Sequence, residues 1–556
     1  MTAGGNGRPL VRRAPRVVVV GAGVSGLCMA VKLKDAGVED LAILEKAADL
    51  GGTWRENTYP GLVCDIPSRI YSYSFAPNPH WSRPYSPGPE IHGYLEGVAR
   101  NYGVIPHIRF GKEVEQARWE GGRWTVCTAD GDQMRADFLI SACGFLHRWN
   151  MPDLPGLDTF EGPKFHSADW DHEAPLSGRR VGVVGTGSSG VQIVGEIANR
   201  ARKLTHFQRT PQWILPTLDR NYSRLTRFLM RRFPALNRLS YRVWLSAFET
   251  TYGAAFVEPG LRRKIVQGIC RLHLRTVRDP ELRRKLTPDY EPLCKRIVVS
   301  TRFYPAVERP NVEVVTEGIE RVEPGGVVTE DGRRHELDVL VLATGFDAHA
   351  YVRPMDLVGE NGHTLAEAWS GEPWAYRTVA LPGFPNFFML MGPHSPVANA
   401  SIFFVAETQV AYVMKWIRLW QEGRVSSMVP RLEPTERYHR EMDAAMPRTA
   451  WVSGCTSWYM GADGKPAVFP WSGSAHREML SELRMEEFEM RPGPAVAVAA
   501  PDSDAEPPTP GPDSDRESPA SDANADSWRS GAGGRAPGTE LAGLATAVAE
   551  ALIVAS

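Results

Sequence analysis

The chain has 556 residues, 43% of them hydrophobic, which is enough for two or three domains with sizeable cores. Its 63 Lys and Arg nearly balance 65 Asp and Glu, for a formal charge of -2, so no global field favours nucleic acid as a partner. No apolar run approaches the length needed to cross a bilayer. We therefore predict no membrane span, and the oligomeric state stays open.

The seven cysteines are scattered along the chain. None forms a CxxC pair, and none lies near histidines at metal-binding spacing. This pattern predicts reduced thiols in a cytoplasmic protein and no metal site.

The first strong motif is a strand, a glycine turn and a helix. Val17 to Val20 precede Gly21, Gly23 and Gly26, and Ser25 lies within the turn. Such glycines allow a tight turn, a close approach to a pyrophosphate and close packing of the helix on the strand. Glu45 ends a second strand 19 residues after Gly26, where a carboxylate can bind ribose hydroxyls. The pattern predicts a dinucleotide site suited to FAD.

A second glycine motif follows the apolar segment 180–184. Its residues are Gly185, Gly187, Ser188, Ser189 and Gly190. The discriminating position, again 19 residues after the last glycine, is Arg209. A guanidinium binds a 2′-phosphate that a carboxylate would repel, so this site suits NADPH.

Each half closes with a buried strand that ends in glycine, at 137–144 and 338–346. We expect an α/β fold with two Rossmann-like dinucleotide-binding domains and a helical insertion. The predicted division is a flexible leader (1–14), the FAD domain in two parts (15–150 and 347–490, the second with substrate-pocket elements), the NADPH domain in two parts (151–214 and 293–346), the insertion (215–292) and a disordered tail (491–556).

The insertion carries a basic amphipathic pattern in which arginines alternate with apolar residues. Two interpretations stay open. The face can lie on an anionic membrane, or it can be the solvated face of helices that cap an active site. The second is the more common use of such helices and is favoured here.

Residues 160–171, between the two glycine motifs, carry Phe160, Gly162, His166, Trp170 and Asp171. Their spacing resembles the FxGxxxHxxxW(P/D) fingerprint of Baeyer–Villiger monooxygenases, which are class B flavoprotein monooxygenases. Residues 51–65 are similar to a second pattern of that family, [A/G]GxWxxxx[F/Y]P[G/M]xxxD. The resemblance covers about residues 15 to 485.

The resemblance implies an enzyme that uses FAD, NADPH and O2 to insert one oxygen atom beside a ketone carbonyl, giving an ester or lactone through a C4a-peroxyflavin. Arg296 matches the family's catalytic arginine, and Asp65 would pair with it and hold it over the flavin. A guanidinium stays charged at working pH and donates several hydrogen bonds in a plane. Which ketone is the substrate is left open.

The other site residues implied by the resemblance would contact cofactors. On the FAD side they are Thr53, Trp54, Asp65, Tyr71 and Val114. On the NADPH side they are Gln192, Thr210, Lys295 and Trp458, of which Lys295, Thr210 and Arg209 would bind the 2′-phosphate. His166 is expected to couple domain movement to cofactor handling, not to act in catalysis.

Two other functions stay open. An N- or S-oxygenating flavin monooxygenase would use the same cofactors, but Trp170, Asp171 and the Asp65–Arg296 pair favour ketone oxidation. A non-catalytic flavin redox sensor is the more remote alternative. An NADPH-dependent disulfide reductase is disfavoured because the chain has no CxxC pair.

Overall fold

Apolar strands that precede the glycine turns form the centres of two parallel sheets in the structure, a computed structural model that describes residues 14–217 and 220–493. The first part contains β1 (Val17–Val20), α1 (Val24–Asp35), β2 (Leu41–Glu45), α2 (Thr53–Glu56), α3 (Gly88–Asn101), β3 (Ile108–Phe110), β4 (Val114–Glu120), β5 (Arg123–Thr128), β6 (Gln133–Ala136) and β7 (Phe138–Ser141). The second contains β8 (Lys164–His166), β9 (Arg180–Val184), α4 (Ser188–Ile197), β10 (Lys203–Phe207) and β11 (Ile214–Leu215).

Helices follow in the predicted insertion. They are α5 (Arg224–Arg232), α6 (Pro234–Phe248), a π-helix (Glu249–Gly253), α7 (Ala254–Val257), α8 (Leu261–Leu274) and α9 (Pro280–Lys285). The second half then resumes with β12 (Val298–Val299), α10 (Phe303–Val307), β13 (Val312–Val315), β14 (Ile319–Glu323), β15 (Gly326–Thr329), β16 (Arg334–Glu336) and β17 (Val339–Leu342).

The last part returns to the first half of the molecule. It contains β18 (Asp356–Val358), α11 (Leu365–Ala368), β19 (Phe387–Met389), α12 (Ile402–Gln421), β20 (Ser427–Pro430), α13 (Leu432–Ala445), α14 (Gly473–Met479) and β21 (Phe488–Arg491). Short 3-10 turns lie at Ser68–Ile70, Ile105–His107, Leu157–Thr159, Glu360–Gly362, Met446–Arg448, Ala450–Val452 and Met485–Glu487.

The two parallel sheets repeat one plan. The first has the order β19-β7-β1-β2-β3 and the second the order β13-β10-β9-β17-β8. In each, an antiparallel meander (β4 to β6, or β14 to β16) precedes a strand that returns beside the first one. That arrangement is a doubly wound, Rossmann-like unit.

The returning strands are anchored in the same way in both halves. The Asp137 carboxylate accepts a hydrogen bond from the backbone N–H of Arg16 at 2.9 Å, and Asp338 accepts one from that of Arg180 at 2.8 Å. In each case the acid precedes the returning strand and the arginine precedes or begins the first strand. The pair therefore sets the register in which β7 lies on β1 and β17 on β9.

The fingerprint segment is built into the second sheet. Its strand β8 pairs in parallel with β17, Phe160 is buried, and Trp170 packs against Phe165 with ring centroids 4.9 Å apart. A Cβ atom on Gly162 would lie 2.2 Å from the carbonyl oxygen of Asp338, so only glycine fits there. Most of this linker is thus the edge of the NADPH-type sheet.

The prediction that all cysteines are reduced is wrong. Cys294 and Cys455 form a disulfide, with their Cα atoms 6.1 Å apart, while Cys28, Cys64, Cys127, Cys143 and Cys270 are free. The two partners are 161 residues apart in sequence, so no local spacing indicates the bond. The fold brings them together beside Arg296 and Trp458.

Three predictions concern membrane passage and the chain ends. Among the described residues, no helix is long and apolar enough to cross a membrane. The leader, apart from Ala14, and the tail beyond Gly493 lie outside the described residues. Arg491, predicted to begin the tail, instead ends β21 opposite Ser427.

Candidate active site

The carboxyl ends of the two parallel sheets face one cavity of about 1630 Å³. Val20 and Glu45 line it from the first sheet, and Val184 and Phe207 from the second. Ligands bind at this edge of doubly wound sheets. Every predicted site residue lines the cavity except Gly26 and Gly190.

The two exceptions explain the glycine motifs. A Cβ atom on Gly26 would lie 1.9 Å from the carbonyl oxygen of Gly21, and one on Gly190 would lie 2.1 Å from that of Gly185. Both residues therefore allow the helix to pack on its own turn. Gly21 and Gly185 have φ near +105° and +113°, a backbone conformation that favours glycine.

Glu45 is positioned by backbone donors. Its carboxylate accepts hydrogen bonds from the N–H groups of Ala22 at 2.8 Å and Ala47 at 3.0 Å. These bonds fix the side chain at the end of β2 while leaving acceptor capacity for hydroxyl groups in the cavity.

The corresponding place in the second half is basic. Arg209 and Lys295 line the cavity, and Lys295 lies over the Tyr290 ring at 4.5 Å. The pKa of Lys295 is lowered by burial and by Arg209, while Asp289 opposes the shift. Two cations that repel each other across a cavity wall form a site for a doubly charged anion.

Asp65 and Arg296 meet in the same cavity. Arg296 donates from Nε to Oδ2 of Asp65 at 2.8 Å and from Nη2 to Oδ1 at 2.6 Å, and its Nη1 lies 3.5 Å from the carbonyl oxygen of Val397. Burial lowers the pKa of the guanidinium, but Asp65 outweighs it and the pKa lies well above its usual range. The result is a fixed positive charge that retains N–H donors for the cavity.

Aromatic residues border this charge. Trp54 donates from Nε1 to the Tyr71 hydroxyl at 3.1 Å on the flavin-type side. Trp458 stacks on Phe145 with centroids 5.8 Å apart, beside the second half. These rings give the cavity apolar walls next to the guanidinium.

Gln192 connects the two halves. Its side chain accepts a hydrogen bond from the Tyr59 hydroxyl at 3.0 Å and donates one to the carbonyl of Val63 at 2.9 Å. Ser189 also donates to the Tyr59 hydroxyl, at 3.2 Å. These predicted cofactor residues therefore hold the 59–63 segment against α4 as well as lining the cavity.

The fingerprint histidine lies beside the cavity, not in it. His166 is buried on β8 and accepts a hydrogen bond at Nδ1 from the backbone N–H of Ala168 at 3.1 Å. Its ring contacts Trp149 and Phe346 edge-on. Burial lowers the pKa of His166.

Sequence reasoning missed two tyrosines near the ion pair. Burial raises the pKa of Tyr459 to about 12, with Arg296 lowering it and Asp65 raising it. Tyr252, in the π-helix of the insertion, has its pKa raised by burial and by the charge of Asp65. No pattern marks Tyr252, whereas Tyr459 directly follows the predicted Trp458.

A family model described as flavin-binding monooxygenase-like matches residues 14–352. This chain belongs to that family. A Baeyer-Villiger monooxygenase of Streptomyces coelicolor is 41% identical over 487 residues, covering 86% of this chain and 93% of that protein. An uncharacterized monooxygenase of Mycobacterium tuberculosis is 52% identical over 492 residues, covering 88% of this chain and 99% of that protein.

Solved structures agree with the family assignment. Cyclohexanone monooxygenase from Rhodococcus sp. Phi1, solved with NADP+, has a TM-score of 0.77 and 31% identity, covering 86% of this chain and 99% of that one. The predicted resemblance to Baeyer–Villiger monooxygenases and the predicted fold class are confirmed.

Proposed function

We propose that this chain is an FAD-dependent, NADPH-consuming Baeyer–Villiger monooxygenase that acts on a small-molecule ketone and O2. The observation that carries the proposal is the Asp65–Arg296 pair, which places a permanent positive charge in a cavity shared by two dinucleotide folds. A simple reductase needs no such charge beside its flavin. An enzyme that must stabilise a reactive oxygen anion does.

The first half fits FAD. Gly21 and Gly23 leave the backbone open to a pyrophosphate at the start of α1, and Glu45 offers its carboxylate to a ribose. Thr53, Trp54, Tyr71 and Val114 line the adjoining cavity and would surround the flavin. Ser25 lies at the same helix start and would meet the phosphates.

The second half fits NADPH. Gly187, Ser188 and Ser189 present the start of α4 to a pyrophosphate, and Arg209 with Lys295 would bind the 2′-phosphate. Thr210 is held beside them because its carbonyl accepts a hydrogen bond from Thr186 Oγ1 at 2.7 Å. Trp458 would contact the nicotinamide ribose.

When bound, the flavin would supply oxygen activation and the nicotinamide coenzyme the reducing equivalents. Arg296 would donate hydrogen bonds to oxygen that carries developing negative charge in the cavity. Asp65 would hold the guanidinium in place with two parallel bonds, and the walls around Tyr71 and Trp458 would exclude water. Water exclusion strengthens the charge interaction and limits loss of activated oxygen as hydrogen peroxide.

The substrate would enter beside Arg296, where Met391, Ile402 and Trp458 give an apolar wall. That lining suits an uncharged ketone. Because the enzyme would draw on NADPH, we place it in the cytoplasm.

The test is product analysis. Purified protein with bound flavin is supplied with NADPH, O2 and a panel of cyclic and aromatic ketones, and products are identified by mass spectrometry. We expect at least one ketone to gain one oxygen atom as an ester or lactone, with one NADPH consumed per product. NADPH consumption that yields only hydrogen peroxide with every ketone, or oxygen transfer only to sulfides and amines, would contradict the proposal.

A further inference from the structure

The helical insertion exposes an unusual amount of apolar side chain. Of the fifteen large hydrophobic residues that are exposed in the described chain, nine lie between Leu225 and Leu272. Five of these lie on α5, on α6 or between the two helices, each between 41% and 65% exposed: Leu225, Phe228, Phe233, Leu239 and Val243. We call these five, with Arg224, Arg227, Arg231, Arg232, Arg238 and Arg242, the α5–α6 face.

The geometry of α6 separates a packed side from a free side. Asn237 and Tyr241 are buried, and Asn237 donates to the carbonyl of Pro77 at 3.0 Å. Leu239 follows Asn237 by two positions, and Val243 follows Tyr241 by two positions. On a helix this spacing places Leu239 and Val243 on the side opposite the two buried residues. The helix α5 buries none of its side chains. The face is therefore held outward by a packed helix.

The charge on this face has one sign. Between Arg220 and Phe248 the chain has seven arginines and no Asp, Glu or Lys. Among the described residues, the ion pairs of basic side chains pass from Lys203 to Arg271 without including any of these arginines. By contrast, Arg271 on α8 pairs with Glu291, and Arg263 bonds to backbone carbonyls. The six arginines of the α5–α6 face therefore favour an anionic partner.

We infer that the α5–α6 face binds the surface of an anionic lipid bilayer. Arginine guanidinium groups bind lipid phosphates, while Leu225, Phe228, Phe233, Leu239 and Val243 enter the boundary between headgroups and acyl chains. Only a partner that is anionic and apolar at once uses both kinds of side chain. Nucleic acid would use the arginines but leave the aliphatic residues exposed to water. A symmetric contact with a second copy would bring the arginines against one another.

The experiment is co-sedimentation of the full chain with extruded vesicles at 150 mM NaCl. One set is pure phosphatidylcholine, and the other contains about 30% phosphatidylglycerol. We expect binding to the anionic vesicles at least about tenfold stronger than to the neutral ones, weakening as salt is raised. Equal binding to both sets, or none to either, would overturn the inference.

Variants locate the contact. Phe228→Ser with Leu239→Ser, and separately Arg231→Glu with Arg238→Glu, are each expected to lower anionic-vesicle binding at least about tenfold. Matched controls at other exposed positions, Leu432→Ser and Arg100→Glu, are expected to leave it unchanged. The substituted residues of the variants and of the controls all lie on the surface. Bound flavin and NADPH oxidation should therefore stay at wild-type levels, which checks that each variant is folded.

Other occupants give different outcomes, each of which would overturn the inference. Retention of duplex DNA without vesicle binding would assign the face to nucleic acid. Loss of a dimer in the serine variants, by light scattering, would assign it to a second copy.

Discussion

Asp65 and Arg296, 231 residues apart in the chain, join through two nearly parallel hydrogen bonds of 2.6 and 2.8 Å. One residue follows α2 in the first half and the other precedes β12 in the second. The pair therefore exists only when both dinucleotide folds are in place. Asp65 also keeps the guanidinium of Arg296 charged at working pH. Either group would be costly to bury without the other.

That relationship predicts a non-additive mutant cycle. Arg296→Ala should lower ester formation at least about 100-fold, the scale of a lost oxyanion donor, while NADPH oxidation continues and yields hydrogen peroxide. Asp65→Ala should also be severe, because Arg296 loses its support. The double variant should be no worse than Arg296→Ala, since Asp65 acts through Arg296. Product yields that multiply across the cycle would show that the two residues act independently.

Coenzyme choice should depend on Arg209. Arg209→Ala removes a charged hydrogen bond to the 2′-phosphate, so binding of NADPH should weaken by about 1.5–3 kcal/mol while NADH is spared. The measurement is the KM for each coenzyme. Arg202→Ala is the control, because Arg202 is exposed before β10 and does not line the cavity. If Arg209→Ala weakened the binding of NADPH and NADH equally, Arg209 would not be the residue that binds the 2′-phosphate.

Substitution by alanine should have different effects at Gly190 and Gly187, two glycines of the second motif. Gly190→Ala places a Cβ atom 2.1 Å from a backbone carbonyl and should cost about 1–3 kcal/mol of stability, measured by denaturant unfolding. A Cβ atom on Gly187 meets nothing within 4 Å, but it enters the pyrophosphate site. Gly187→Ala should therefore keep wild-type stability and weaken NADPH binding. A stable Gly190→Ala protein would contradict the packing role.

Acid should destabilise the second half through His206. Burial lowers its pKa to about 4, although its Nε2–H donates to the Gly185 carbonyl at 3.0 Å. Because the unfolded value is about 6.5, the unfolded chain takes up the proton first as the pH falls. The stabilisation present above about pH 6.5 should decline towards pH 4, by about 2 kcal/mol at pH 5.

The check on His206 is denaturant unfolding at pH 7 and pH 5. His206→Gln should lose less stability over this interval than wild type. His172→Gln, at an exposed position, should behave like wild type. An identical pH dependence in all three proteins would rule out His206 as the titrating group.

The disulfide predicts a thiol count. Unfolded protein that has never been reduced should react with a thiol reagent at five cysteines, and reduction should expose two more. Peptide mapping should identify the linked pair as Cys294 and Cys455. Seven reactive thiols before reduction would restore the prediction of a fully reduced chain.

The local patterns of this chain were sufficient to predict both glycine turns, the returning strands, Glu45 and Arg209. Each depends on spacing within one strand–turn–helix unit, where a few neighbouring residues determine backbone shape. The resemblance of residues 51–65 and 160–171 to a family then indicated Asp65 and Arg296 as partners. Their geometry could not follow from either segment alone.

Only the tertiary structure decided which distant residues meet. Cys294 and Cys455 carry no local pattern, and Tyr252 of the insertion lies near an ion pair that two other segments form. The outward face of α5 and α6 was ambiguous for the same reason: amphipathic periodicity is the same whether a helix caps a site or faces outward. Contacts between segments hundreds of residues apart depend on the packing of whole sheets and helices, and short-range sequence patterns do not record them.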